Sequence, residues 1–252
     1  MQVLQRAGAS LGRIDGLLRE RSRLRPLDAA RATTLPEGPL EMRFEGVGFR
    51  YHDADEDAPP NLRGIDLTVR AGAHLGLLGR TGSGKTTLTR LAFRFYDPDE
   101  GRVRLAGIDA RDVPLAELRR RVGLVTQEVQ LVQGSVRDNL TFFDATAPEA
   151  ALHAALEEVG LGTWLAGLPA GLDTPVRAGG GNLSAGEAQL LAMARVFLAD
   201  PGLVLLDEPS SRLDPATERR LERALERLLR GRTSVIIAHR LDTVDAALEE
   251  LA

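Results

Sequence analysis

Apolar positions along the chain fall into three regimes. From Met1 to about Arg25, Leu4, Leu11, Ile14 and Leu18 recur at helical spacing with Ala7 in the same stripe, which predicts an amphipathic helix. Leu35-Pro36-Glu37-Gly38-Pro39 then breaks the pattern and reads as a linker. From Leu40 onward, short strand-like runs alternate with helical ones. Met42, Phe44, Val47, Phe49 and Tyr51 predict a strand with a shift of phase near Gly46, and Asp53 to Pro60 predicts an acidic loop. Ile65, Leu67 and Val69 alternate as a second strand. His74 to Leu78 is a short apolar strand that runs into a glycine-rich loop and a helix from about Thr86. Further strand-like runs lie at Val122–Val125, Leu203–Leu206 and Ser234–Ala238, with helical runs at Ala185–Ala199 and Pro215–Arg230. Such alternation implies a largely parallel sheet. The stretch from about Glu128 to Leu190 carries only helical patterns and reads as a helical insert. No internal repeat or low-complexity tract interrupts this order.

Composition narrows the class. With 252 residues, 43% hydrophobic and 27% charged, the chain can bury a sizeable core. No run of 18 or more apolar residues is present, and the opening residues do not read as a signal peptide. Cysteine is absent, which excludes a disulfide scaffold and cysteine-based metal or nucleophile sites. The net charge of -4 argues against binding nucleic acid by bulk charge. Yet the first 31 residues are locally basic, with Arg6, Arg13, Arg19, Arg21, Arg23, Arg25 and Arg31 against Asp15, Glu20 and Asp28. Of the 32 basic residues only one is lysine, Lys85. An arginine bias explains why lysine is rare, not why one remains.

Its position answers that. Gly79-Arg80-Thr81-Gly82-Ser83-Gly84-Lys85-Thr86 matches G-x-x-x-x-G-K-[ST] between a predicted strand and a predicted helix. Glycines let the backbone curl so that successive N–H groups face phosphate oxygens, and the helix N-terminus adds its dipole. Lys85 would reach the β- and γ-phosphates, Thr86 would ligate Mg²⁺, and Thr87 completes the same cradle. A compact ammonium fits a ring of backbone amides, whereas a planar guanidinium is too wide. The plainer alternative is a glycine-rich turn before a helix. Downstream, Leu203-Val204-Leu205-Leu206-Asp207-Glu208 is an apolar strand ending in two carboxylates. Asp207 would hold Mg²⁺ and Glu208 would polarise an attacking water; alone, the pair could equally be solvated acids at a strand end. Together the two elements define a P-loop NTPase of unspecified kind.

Between them, Leu183-Ser184-Ala185-Gly186-Glu187 closely resembles the signature motif of ATP-binding cassette (ABC) ATPases, usually Leu-Ser-Gly-Gly-Gln. Gln127 matches the Q-loop, Ser211-Arg212-Leu213-Asp214 the D-loop, His239 the switch histidine and Tyr51 the A-loop aromatic. The resemblance runs from about residue 40 to 244. It implies an α/β fold: a RecA-like P-loop NTPase core, an N-terminal antiparallel β-subdomain and a helical signature subdomain at about 128–190. Residues 1–38 would be a basic helix and linker from an absent membrane domain, in keeping with arginine clustered just inside a membrane. Residues 39–252 would be the nucleotide-binding domain, shortened at its C-terminus.

The resemblance further implies an Mg²⁺-dependent ATPase at the cytoplasmic face of a cell membrane that drives export. Two such domains sandwich two ATP molecules head to tail. Ser184 and the Gly186 amide would reach the γ-phosphate on the partner's loop, His239 and Gln127 would serve hydrolysis, Gln127 would also touch Mg²⁺, and Tyr51 would stack on adenine. Arg80, Thr81, Gly82, Ser83 and Gly84 would line the phosphates. The chain departs from the family at Ala185 and Glu187, and at Arg177 and Ala178, where exporters usually have Gly-Glu. An altered signature beside intact Glu208 and His239 resembles one half of a heterodimeric exporter. A soluble, non-transport ABC ATPase is the alternative, and a non-hydrolysing regulatory half is opposed by Glu208 and His239. His52, His74 and His153 read as surface or packing residues, and Trp164 as core.

Overall fold

Alternation decides the first layer. In β1 (Met42–Phe49) the side chains of Met42, Phe44, Val47 and Phe49 are buried while Arg43 is exposed. β1 pairs antiparallel with β2 (Leu62–Val69), and the register shifts between Phe44 and Val47. That bulge sits at Gly46, where the hydrophobic pattern changes phase. In this computed structural model, which describes residues 22–52, 59–80, 82–126, 129–144, 146–207 and 215–238, the sheet continues through β4 (Glu100–Leu105) and β5 (Ile108–Asp109) in the order β2-β1-β4-β5. Only Val103 and Leu105 are apolar in β4, too few to mark it as a strand, and neither β4 nor β5 was expected. Across this pairing Glu45 meets Arg104 at 3.0 Å and Arg102 at 3.6 Å.

The second sheet is wholly parallel, in the order β3-β10-β9-β6. It joins β3 (His74–Leu78), β10 (Thr233–Ala238), β9 (Leu203–Asp207) and β6 (Val122–Val125). Leu203, Leu205 and Val235 pack with the first sheet, α1 (Lys85–Ala92) and α2 (Leu115–Arg121). Val204, Leu206 and Ile236 pack on the other face, against α6 (Ala185–Ala199) and α7 (Pro215–Leu229). A parallel sheet covered on both faces needs such continuous apolar strands. α7 shows the same logic at helical period: Leu221, Ala224, Leu225, Leu228 and Leu229 are buried, whereas Arg219, Arg220, Glu222 and Arg223 are exposed.

The part from 128 to 190 is mostly helical but not wholly so. It holds α3 (Val136–Thr141), α4 (Glu149–Glu158) and α5 (Gly162–Ala166). It also holds a two-stranded ribbon of β7 (Gly134–Ser135) and β8 (Pro175–Val176), which corrects the purely helical expectation. Two-residue strands are too short to leave a period in the sequence. Trp164 is half-buried rather than core, and lines a cavity of about 530 Å³ beside α6. His74 is half-buried; its Nδ1 lies 2.8 Å from Ser234 Oγ, and burial lowers its pKa.

The segment read as a linker is bound to the core. Leu35 and Leu40 are buried. Arg121, only 2% exposed, donates through Nη2 to the carbonyls of Pro36 and Gly38, both at 2.7 Å, and through Nη1 to Asp200 O at 3.3 Å. Buried Arg94 reaches Arg25 O at 3.0 Å and pairs with Asp97 at 3.0 Å. The predicted helix over the first residues lies outside the described residues up to Arg21. Among the described residues no helix is long and apolar enough to cross a membrane.

Candidate nucleotide-binding site

β3 ends at Leu78, the loop turns, and α1 opens at Lys85. Gly84 caps the helix in a left-handed conformation, φ +92°, and a Cβ there would stand 2.7 Å from Leu62 Cδ2. Only glycine meets both demands. No side chain caps α1, so its first N–H groups stay free to bind an anion. Lys85 Nζ lies across the loop. It donates to Gly79 O at 2.6 Å, Arg80 O at 3.0 Å and Ser83 Oγ at 3.4 Å, and among the described residues no carboxylate pairs with it. Thr86 follows it in the first turn of the helix. Thr87 is nearly buried, and Thr89 Oγ1 donates to Thr86 O at 2.9 Å.

Register places the other candidates at the same edge. β10 pairs Ala238 with Leu78 and Ile237 with Asp207, so the ends of β3, β10 and β9 stand side by side. Asp207 is therefore two strands from the start of the loop, at the carboxyl ends of parallel strands, where open α/β sheets bind ligands. Thr81, Gln127, Glu208, His239 and the stretch Ser211–Asp214 lie outside the described residues. Tyr51, just past β1, is half-buried. Its hydroxyl lies 3.2 Å from Thr87 Oγ1 and accepts from Arg90 Nη1 at 3.1 Å. Its ring meets Phe49 and Tyr96 edge to face. Neither Tyr96 nor Arg90 was singled out from the sequence; their contacts with Tyr51 join segments far apart in the chain, which local patterns do not report.

The signature residues lie elsewhere on the surface. Ser184 caps α6 in a capping box with Glu187: the Glu187 amide donates to Ser184 Oγ at 3.2 Å, while the Glu187 carboxylate accepts from Ser184 N–H at 2.7 Å and O–H at 2.8 Å. A Cβ on Gly186 would stand 2.1 Å from Thr217 Cγ2, so this glycine serves close packing of α6 against α7. The cavity beside Ser184 and Gly186 is lined by residues of α4, α5 and α7, and by none of the phosphate loop.

A third feature is an exposed aromatic face. Phe142 and Phe143 are about 60% exposed, at 61% and 60%, and both adopt left-handed backbone, φ 51° and 67°. Left-handed non-glycine residues cost about 1–3 kcal/mol each and concentrate where they serve a function. Arg195 of α6 stacks on Phe142 at 4.5 Å and donates to Gln130 O at 2.8 Å. Burial pushes its pKa down to about 10, so it stays charged at neutral pH. A groove of about 660 Å³ runs from Phe142 to Phe93, Phe95 and Arg119.

A parallel sheet, a phosphate loop and a helix opening on its lysine define a P-loop NTPase fold. Comparison with known proteins narrows the class. The profile of the family described as ABC transporter matches residues 62–211. An ATP-dependent lipid A-core flippase of Chromohalobacter salexigens is 43% identical over 206 residues, 82% of this chain and 35% of that protein. A multidrug efflux ATP-binding/permease protein of Mycobacterium bovis is 42% identical over 245 residues, 96% of this chain and 20% of that protein. The solved structure of a bacterial Atm1-family ABC exporter with ATP bound matches with a TM-score of 0.73 and 34% identity, covering 85% of this chain and 38% of that one. The chain belongs to the ABC transporter family and is an ATPase domain of it. It spans about a third or less of the length of these curated relatives.

Proposed function

We propose that this chain is the Mg²⁺–ATP-hydrolysing motor of an exporter, working at the cytoplasmic face of a membrane with a membrane domain and a second nucleotide-binding domain. The observation that carries this is the phosphate loop, with Lys85 committed to no carboxylate among the described residues and Asp207 at the same sheet edge. The donor set fits a polyanion: one ammonium, free helix amides and the hydroxyls of Thr86 and Thr87. Among the described residues no group of three or more acidic or histidine side chains could hold a metal by itself. Mg²⁺ would therefore be shared by Thr86, Asp207 and Gln127 with phosphate oxygens, as is usual for this ion, and would offset phosphate charge. Glu208 holds the attacking water and takes its proton, Gln127 helps orient it, and His239 hydrogen-bonds the terminal phosphate. Gly79, Arg80, Thr81, Gly82, Ser83 and Gly84 wrap the phosphates. Tyr51 carries the base.

A second domain is needed because Ser184 and Gly186 open on a cavity away from the chain's own loop. The N–H of Gly186, in the first turn of α6, suits a partner's γ-phosphate, whereas the N–H and hydroxyl of Ser184 already go to Glu187. The strained, exposed Phe142 and Phe143 supply an apolar face for the membrane domain, in line with relatives named permease and flippase. The test is Glu208→Gln. It should cut ATP turnover at least about a hundredfold and leave an ATP-dependent dimer visible by sedimentation; unchanged turnover would remove Glu208 from its role.

The pair is most simply a heterodimer. Glu187 already fills the anion-binding groups of Ser184, so the partner's nucleotide meets a carboxylate where other signatures present an amide. Glutamine can keep the capping box. In the Glu208→Gln background, Glu187→Gln should therefore tighten the ATP-dependent dimer about tenfold, for roughly 1.4 kcal/mol of relieved repulsion. Sedimentation at graded concentration measures it, and an unmoved dimer constant counts against a weakened site.

A further inference from the structure

Tyr51 is held from several sides. Phe49 meets its ring at 5.0 Å and 85°, and Tyr96 at 5.2 Å and 85°. These edge contacts fix the ring plane but not the hydroxyl. The hydroxyl is shared between Thr87 Oγ1 at 3.2 Å and Arg90 Nη1 at 3.1 Å. Thr87 and Arg90 are three apart on α1 and so lie on one face of the helix. The Arg90 guanidinium carbon also stands 5.7 Å from the Tyr51 ring centroid, within cation–π range. Among the described residues no carboxylate pairs with Arg90, so its charge is directed to this tyrosine. A cavity of about 640 Å³ lies alongside, lined in part by Tyr51, His52, Tyr96 and Asp97.

We infer that Arg90 is a positioning residue that holds Tyr51 ready for the nucleotide base, and this rests on the reading of Tyr51 as the base platform. The two anchors of the hydroxyl are not equivalent. Thr87 belongs to the phosphate cradle, and its single hydroxyl is drawn away once a phosphate oxygen accepts from it. Arg90 sits a turn further along, has five N–H donors, and keeps its hold. The ring therefore stays ordered while the triphosphate binds, and the ordering cost is met before binding. Arg90 thus acts on the base through Tyr51 and not on the phosphates.

Calorimetry of Mg²⁺–ATP and of Mg²⁺–tripolyphosphate on the whole chain separates these roles. Arg90→Ala and Tyr51→Phe should each weaken ATP about fivefold and leave tripolyphosphate unmoved. The double variant should lose clearly less than the sum of the two singles, because both remove the bond between Arg90 and the Tyr51 hydroxyl. Unchanged ATP affinity in Arg90→Ala, equal losses for both ligands, or additive losses would each overturn the inference. Tyr51→Ala judges the underlying reading. If it leaves ATP affinity intact, Tyr51 is not the platform; if it weakens ATP while Arg90→Ala does not, the platform stands and only the role of Arg90 falls.

Discussion

Replacing Lys85 by arginine is expected to lower Mg²⁺–ATP affinity at least about tenfold and turnover at least about a hundredfold, with alanine no better. The reason is steric as well as electrostatic. Nζ touches the carbonyls of Gly79 and Arg80 and the hydroxyl of Ser83, so the loop is closed around one compact cation. A guanidinium keeps the charge but spreads it over a plane that would push the loop open. Single-turnover hydrolysis and calorimetry measure the two quantities. Survival of both in Lys85→Arg would show that the chain's one lysine owes its place to something other than the loop.

Arg121→Ala is expected to cost about 4 kcal/mol of stability, read as a drop of about 10 °C in the melting midpoint. The guanidinium is 2% exposed and satisfies the carbonyls of Pro36, Gly38 and Asp200. Its nearest carboxylate, Glu37 at 3.4 Å, is itself exposed, so the backbone bonds outweigh the ion pair. Arg121→Lys should recover less than half of the loss, since one ammonium cannot span three carbonyls on two segments. Denaturant unfolding followed by circular dichroism reads both variants. A change under about 1 kcal/mol in the alanine variant would mean that the N-terminal segment is held by Leu35 and Leu40 instead.

Legibility followed the length scale of each interaction. The central parallel strands β9 and β10 were readable because they are buried on both faces and so carry unbroken apolar runs. α6 was readable over its whole observed span, Ala185–Ala199, and the bulge at Gly46 showed as a change of phase. β4 and the β7–β8 ribbon were hidden, the first because it has two apolar residues, the second because two residues make no period. The candidate site divided in the same way. The phosphate loop is one contiguous motif, and its context of strand, loop and helix is the observed one. The grip of Arg90 on Tyr51, the stack of Arg195 on Phe142 and the hold of Arg121 on residues 36 and 38 all join distant segments. No local pattern encodes such pairs. Glu208, Gln127 and His239 keep only their sequence assignment.

The solitary lysine also gives the chain an unusual chemical signature. Apart from four histidines, every other basic side chain is a guanidinium, so amine-directed chemistry has a single side-chain target in 252 residues. Acylating reagents, reductive methylation and enzymatic acetylation all converge on the floor of the phosphate loop. Apart from an α-amino group, one added mass is then a direct report of whether that loop is open or occupied. For this chain the usual ambiguity of lysine labelling disappears, and modification and inactivation become the same event.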